Sequence, residues 1–137
     1  MKFSKTLATL AAATVLALGA GQGLAGAASP TVGPGLYTLT DLKTAHVDTG
    51  ELEPDGHATD PVPPRGNRLR CYNVHHTGPE FSVDCTGPVS FDIWLDCSNG
   101  TRYVTDQVTT GNGARGVLVC PLGSKVTRGG GRQTSSE

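Results

Sequence analysis

The chain has 137 residues, a formal charge of −1 and only 5% aromatic side chains. That length and composition bound it to one domain with a small core. The mildly acidic balance excludes nucleic acid and anionic membrane surfaces as partners, because both require clustered Lys and Arg.

Residues 1–28 read as a secretory signal peptide. Lys2 and Lys5 precede an apolar, alanine-rich run over 7–18, and Ala25-Gly26-Ala27 supplies a small-residue cleavage pattern. The cut is expected after Ala27 or Ala28. The apolar run is too short to span ~20 residues of bilayer, so an uncleaved anchor is disfavoured. No twin arginine precedes the run and no cysteine stands at the cleavage site, which points to general export and release rather than a lipid anchor. The expected product is secreted and extracellular, with no membrane attachment after cleavage.

Four cysteines, Cys71, Cys85, Cys97 and Cys120, suit that compartment. An even number in a short exported chain reads as a disulfide framework. Structural zinc would call for close C-x-x-C pairs, which are absent, and no cysteine is left as a nucleophile.

Residues 29–66 are rich in Pro, Gly, Thr and Asp and include Pro30, Pro34, Pro54, Pro61, Pro63 and Pro64. Little periodicity is visible, so the segment is expected to be a flexible arm. Leu36, Tyr37, Leu39, Leu42 and Val47 are the one patch able to add an edge strand or a brief turn. Pro63-Pro64 favours polyproline geometry just before the domain.

The domain is expected over 67–126. Residues 68–74 and 80–85 read as two strands around the turn residues His76, Thr77, Gly78 and Pro79. A hairpin centred near Gly78 sets Cys71 directly opposite Cys85, at a distance a disulfide can bridge. Residues 90–97, SFDIWLDC, alternate strictly: Phe91, Ile93, Leu95 and Cys97 fall on one face, Asp92, Trp94 and Asp96 on the other. Asn99-Gly100 signals a hairpin into a strand over 101–109, and Gly111-Asn112-Gly113 a second tight turn. Residues 115–120 form a short apolar strand, as expected for one covered on both sides. Leu122 and Val126 offer one last strand; residues 127–137, with Gly129 to Gly131, read as a disordered tail.

Elimination then pairs Cys97 with Cys120, one of three possible connectivities for four cysteines. The outer strands of a flat three-stranded meander lie ~9.5 Å apart, beyond a disulfide's ~6.8 Å reach between Cα atoms. The last strand must therefore lie beside or over the Cys97 strand. The expected fold is all-β, a small disulfide-stapled antiparallel β-sandwich or Greek-key barrel with a disordered N-terminal arm and C-terminal tail.

Candidate chemistry is sparse. His75-His76 with Glu80 or Asp84 is the nearest approach to a metal or acid–base site, but adjacent strand residues point to opposite faces, so a solvated turn is expected. His46 and His57 lie in the arm and have no fixed geometry. Asp84, Asp92, Asp96 and Asp106 are expected to be a solvated acidic face, since they lack the loop pattern that calcium requires. A carboxylate pair for glycoside hydrolysis would need a cleft, which so small a domain seldom forms. Motifs for a serine nucleophile, a zinc protease or phosphate binding are absent. No metal and no cofactor is expected. Asn99-Gly100-Thr101 matches a glycosylation acceptor, but a hairpin turn explains it more simply.

Trp94 is the remaining candidate. Exposed between Asp92 and Asp96, it would stack on a sugar or anchor a protein contact, with Tyr103 or Tyr72 widening the patch. Packed under the arm or the second sheet, it would simply be core.

The segments CYNVHHTGPEFSVDC and CSNGTRYVTDQVTTGNGARGVLVC resemble the two disulfide-closed units of tendamistat-type α-amylase inhibitors, over residues 71–120. The resemblance implies a secreted two-disulfide sandwich. The family's Trp-Arg-Tyr inhibitory triplet is absent, since the hairpin tip reads HHTGPEF, so amylase inhibition does not carry over. The expected function is a monomeric, non-enzymatic secreted binding protein, acting on an extracellular protein such as a hydrolase that it inhibits. The alternatives are a glycan or cell-wall binding module using Trp94 and, last, a small secreted hydrolase.

Overall fold

A computed structural model describes residues 33–134. The expected signal peptide lies outside the described residues. Nine strands follow in order: β1 (Leu36–Asp41), β2 (Val47–Glu51), β3 (Glu53–His57), β4 (Arg70–Thr77), β5 (Glu80–Thr86), β6 (Phe91–Cys97), β7 (Thr101–Val104), β8 (Ala114–Val119) and β9 (Val126–Gln133). No helix occurs among the described residues. The strands form two antiparallel sheets, of order β2-β1-β8-β5-β4 and β3-β7-β6-β9. The all-β, disulfide-stapled sandwich expected from the sequence is the observed class.

The core lies between the sheets. Phe91, Ile93, Leu95 and Cys97 bury the inner face of β6, as their alternation dictates. Phe81, Val83 and Cys85 of β5, Ala114 and Leu118 of β8, and Tyr37 and Leu39 of β1 face them. Cys71 and Cys85 are register partners in the β4–β5 hairpin, with Cα atoms 4.1 Å apart. Cys97 and Cys120, 6.0 Å apart, join the end of β6 to the residue after β8 in the other sheet. The second disulfide therefore staples the two layers together, and β8 leaves the meander as its span requires.

Four expectations are corrected. The segment expected to be a flexible arm supplies β1, β2 and β3. Tyr37 and Leu39 are too few to fold alone, but β1 inserts beside β8 and buries them in a core built by other strands. Leu52 then carries the chain from one sheet to the other: its side chain is buried and its N–H donates to Gly35 O at 2.8 Å.

The segment expected to be a disordered tail supplies β9, which pairs along the whole of β6. Its glycines disfavour a strand locally, yet they are the residues that fit. A Cβ at Gly129 would lie 2.6 Å from the Phe81 ring, and one at Gly131 would lie 2.5 Å from Cys71 Sγ.

The strand expected over 101–109 ends as a regular ladder at Val104. The chain stays beside β6 through Thr105 N–H to Ile93 O and the Phe91–Val108 bridge, then crosses to the other sheet. Gly111 to Gly113 is thus part of a crossover between layers, not a hairpin turn. Finally, β8 is central in its sheet but not covered on both faces, because Arg115 is exposed and Val117 and Val119 are half-buried.

Candidate functional site

The face of β6 carrying Asp92, Trp94 and Asp96 is covered rather than wet. Trp94 is only 3% exposed, and Asp92 and Asp96 are buried with it. Register explains the cover: Asp96 lies opposite Arg102 on β7 and Arg128 on β9, and Asp92 lies opposite Arg132. Asp96 accepts from Arg102 Nε at 2.6 Å and from Arg128 Nη2 at 2.8 Å. Asp92 accepts two bonds from Arg132, at 2.7 and 3.1 Å. The Arg102 guanidinium lies 4.7 Å from the Trp94 ring centroid, a cation–π contact. Gly130 leaves room for the indole on the neighbouring strand.

The same arginines hold a strap over this face. Arg102 donates to Asp60 O and Pro61 O, both at 3.1 Å, and Arg128 donates to Ala58 O at 2.8 Å. Burial raises the Asp92 carboxyl above its ordinary range despite Arg132, whose own guanidinium is raised chiefly by its bond to Asp92. The solvated acidic face expected from the sequence is instead an ion-paired layer. Trp94 has no surface on which to stack a ligand. Its Nε1 is buried without a hydrogen-bond partner among the described residues.

Nor do the tyrosines extend the patch. Tyr103 pairs with Leu95, so it turns toward the core; Asn99 Nδ2 donates to its hydroxyl at 2.9 Å. Tyr72 is exposed on the outer side of the other sheet. The five candidate binding residues therefore share no surface. Asp84, named with them as acidic, is buried too: Arg115 Nε donates to it at 2.7 Å and Asn73 Nδ2 at 2.9 Å, and both hold its carboxyl below the ordinary range. His75 and His76 lie on β4 rather than in the turn, which is Gly78-Pro79. Among the described residues, no three His, Cys, Asp or Glu side chains are grouped to hold a metal.

A different site forms where the β1–β2 hairpin faces the crossover after β7. A cleft of about 320 Å³ is lined by Tyr37, Leu39, Asp41, His46, Asp48, Asp106, Val108 and Ala114, with Thr and Gln side chains beside them. The walls are tied together. Asn112 Nδ2 donates to Asp41 Oδ2 at 3.2 Å, and Leu42 N–H donates to Gly113 O at 3.1 Å. Tyr37 is buried; burial first, and then the neighbouring Asp106, raises the phenol above its ordinary value. Gly50, opposite Tyr37, makes room for the ring, because a Cβ there would lie 2.6 Å from the hydroxyl. Asp41 accepts the N–H groups of Lys43 and Thr44, both at 2.8 Å, and these bonds lower its carboxyl to about 2. On the rim, His46 Nε2 and Asp48 Oδ1 are 3.2 Å apart. Among the described residues, no Lys or Arg lines the cleft.

Sequence reasoning missed Tyr37, His46 and Asp48 as site residues because they lie in the segment taken for an arm. One local signal exists: His46 and Asp48 are two apart, which places them on one side of a strand. No family model matches the chain, and no similar curated protein or solved structure was found.

Proposed function

We propose that this is an exported, non-enzymatic binding protein that holds a small, polar, positively charged ligand in the cleft between the β1–β2 hairpin and the crossover. The observation that carries this reading is the cleft itself. Three aspartates and one histidine line about 320 Å³, together with the apolar Leu39, Val108 and Ala114. That size and mixture suit a small-molecule site. Asp41 is held anionic by the backbone N–H groups of Lys43 and Thr44, and no Lys or Arg among the described residues of the lining balances it. Export is supported by the two disulfides, which are consistent with an oxidising compartment. A glycan reading through Trp94 lacks support, since the indole is buried.

The test is a titration of the isotope-labelled protein with glucosamine and, separately, with glucose. Glucosamine should shift the amides of Asp106, Gly113 and Ala114, and Asp48→Asn and Asp106→Asn should each weaken that response. Equal shifts with glucose, or none with glucosamine up to millimolar concentration, would refute the reading.

A further inference from the structure

Two sheets of five and four strands leave four edges: β2 and β4 in one, β3 and β9 in the other. Natural proteins blunt such edges with charge, proline, short length or a β-bulge. Three of these edges are blunted by charge, proline, short length or an existing bond, and the fourth, β4, is interrupted only by a bulge. β2 has five residues and carries Asp48 and Glu51. β3 also has five, with Glu53, Pro54 and Asp55 and an irregular register. On β9, Gln133 N–H is taken by Arg65 O, and Arg128 and Arg132 are spent on Asp96 and Asp92.

β4 differs. It has eight residues, no proline and no carboxylate, and every residue from Tyr72 to Thr77 is exposed. Tyr72 is 45% and Val74 53% exposed. The strand is nevertheless rigid, being closed by the Cys71–Cys85 disulfide and tied through Asn73 to the Asp84–Arg115 pair. A bulge between Tyr72 and His75, with Asn73 at φ 55°, divides the edge, so only a short segment can pair on either side of it. Charge states the partner's chemistry. Arg65 and Arg70 are exposed and line a shallow depression at the start of β4. Asp84, the nearest buried carboxylate, is already paired with Arg115, and the exposed Glu80 lies at the far end of the strand, beside His75 and His76.

We infer that β4 is the docking edge for a short, extended, acidic segment of a partner protein, which adds to the five-stranded sheet as a further strand. Main-chain bonds along β4 supply the pairing, Tyr72 and Val74 the side-chain contacts, and Arg65 and Arg70 the charge selection. This edge is separate from the cleft and does not depend on what the cleft binds.

The probe is a capped peptide of alternating glutamate and valine, with an alternating lysine–valine peptide as its control, added to the intact disulfide-bonded protein. The acidic peptide should slow amide exchange on β4 and shift the resonances of Val74 to Thr77. Arg70→Glu should weaken it roughly tenfold, on the scale of reversing one interfacial charge pair. Val74→Pro, acceptable on an edge strand, should abolish binding while leaving the circular dichroism spectrum unchanged. Arg65→Glu gives a second charge reversal at an exposed residue should Val74→Pro fail to fold. Equal binding of both peptides, β4 amides unaffected by either, or protection that appears only on self-association through β4 would overturn the inference.

Discussion

Gly131 of β9 lies against Cys71 of β4 so closely that a Cβ on the glycine would stand 2.5 Å from the sulfur. The two residues belong to different sheets, so the glycine lets the last strand close over the disulfide-bonded hairpin. Gly129 does the same beneath Phe81.

Filling that space should be costly. Gly131→Val is expected to destabilise the protein by about 1–3 kcal/mol, the range for overpacking a close-packed core. Gly130→Ala should cost less, because a Cβ there meets the Trp94 indole at 3.4 Å, an ordinary contact. Urea unfolding midpoints of the two variants decide this; equal losses would contradict the packing described.

The buried ion cluster makes an asymmetric prediction. Asp96 is fully buried between Arg102, which is itself buried, and Arg128, which is half-exposed. Asp96→Ala leaves the Arg102 charge buried without its carboxylate and should cost about 3–5 kcal/mol. Arg128→Ala leaves Asp96 paired with Arg102 and should cost about 1 kcal/mol or less. Denaturant titration of both variants checks the order.

Trp94 is the only tryptophan, so its fluorescence reports on one place. Burial beneath Arg102 and the strap predicts a blue-shifted emission that iodide does not quench until the protein unfolds. Native emission as accessible to iodide as the unfolded chain's would show that the strap does not cover this face.

The acid limb of stability should trace to aspartates. Asp41 is lowered to about 2 by its backbone bonds, and Asp84 is lowered chiefly by Arg115. A carboxyl with a folded value below its unfolded value of ~3.9 stabilises above that pH. The contribution is lost as pH falls through the folded value. Asp92 has the opposite sign: its raised value means a contribution present in acid and lost as pH rises through it. Melting temperature followed from pH 6 down to about 2 should therefore fall, and Asp41→Asn should flatten that fall below about pH 4. An unchanged acid limb in the variant would remove Asp41 as a cause.

Some features were legible because they are local. The alternation of SFDIWLDC sets which side of β6 is core, and Phe91, Ile93, Leu95 and Cys97 are all buried. The Gly78-Pro79 turn pairs Thr77 with Glu80, and the bulge between Tyr72 and His75 then shifts the register by one to set Cys71 opposite Cys85; the layer change of β8 follows from the reach of one disulfide. The polar side of β6 was not legible. Asp92 and Asp96 carry no local sign that Arg132, Arg128 and Arg102 sit opposite them, because that pairing depends on the register of β9 and β7.

By itself, then, the sequence determined the all-β class, the presence of a disulfide framework and the inner face of the central strand, since period-two alternation and turn residues act over a few residues. Only the tertiary structure decided that residues 36–57 and 126–133 are strands, that Trp94 is covered, and that Tyr37, His46, Asp48 and Asp106 meet in one cleft. The physical reason is that a segment poor in apolar residues or rich in glycine gains its stability from the core it docks on. No short window of the sequence contains that core.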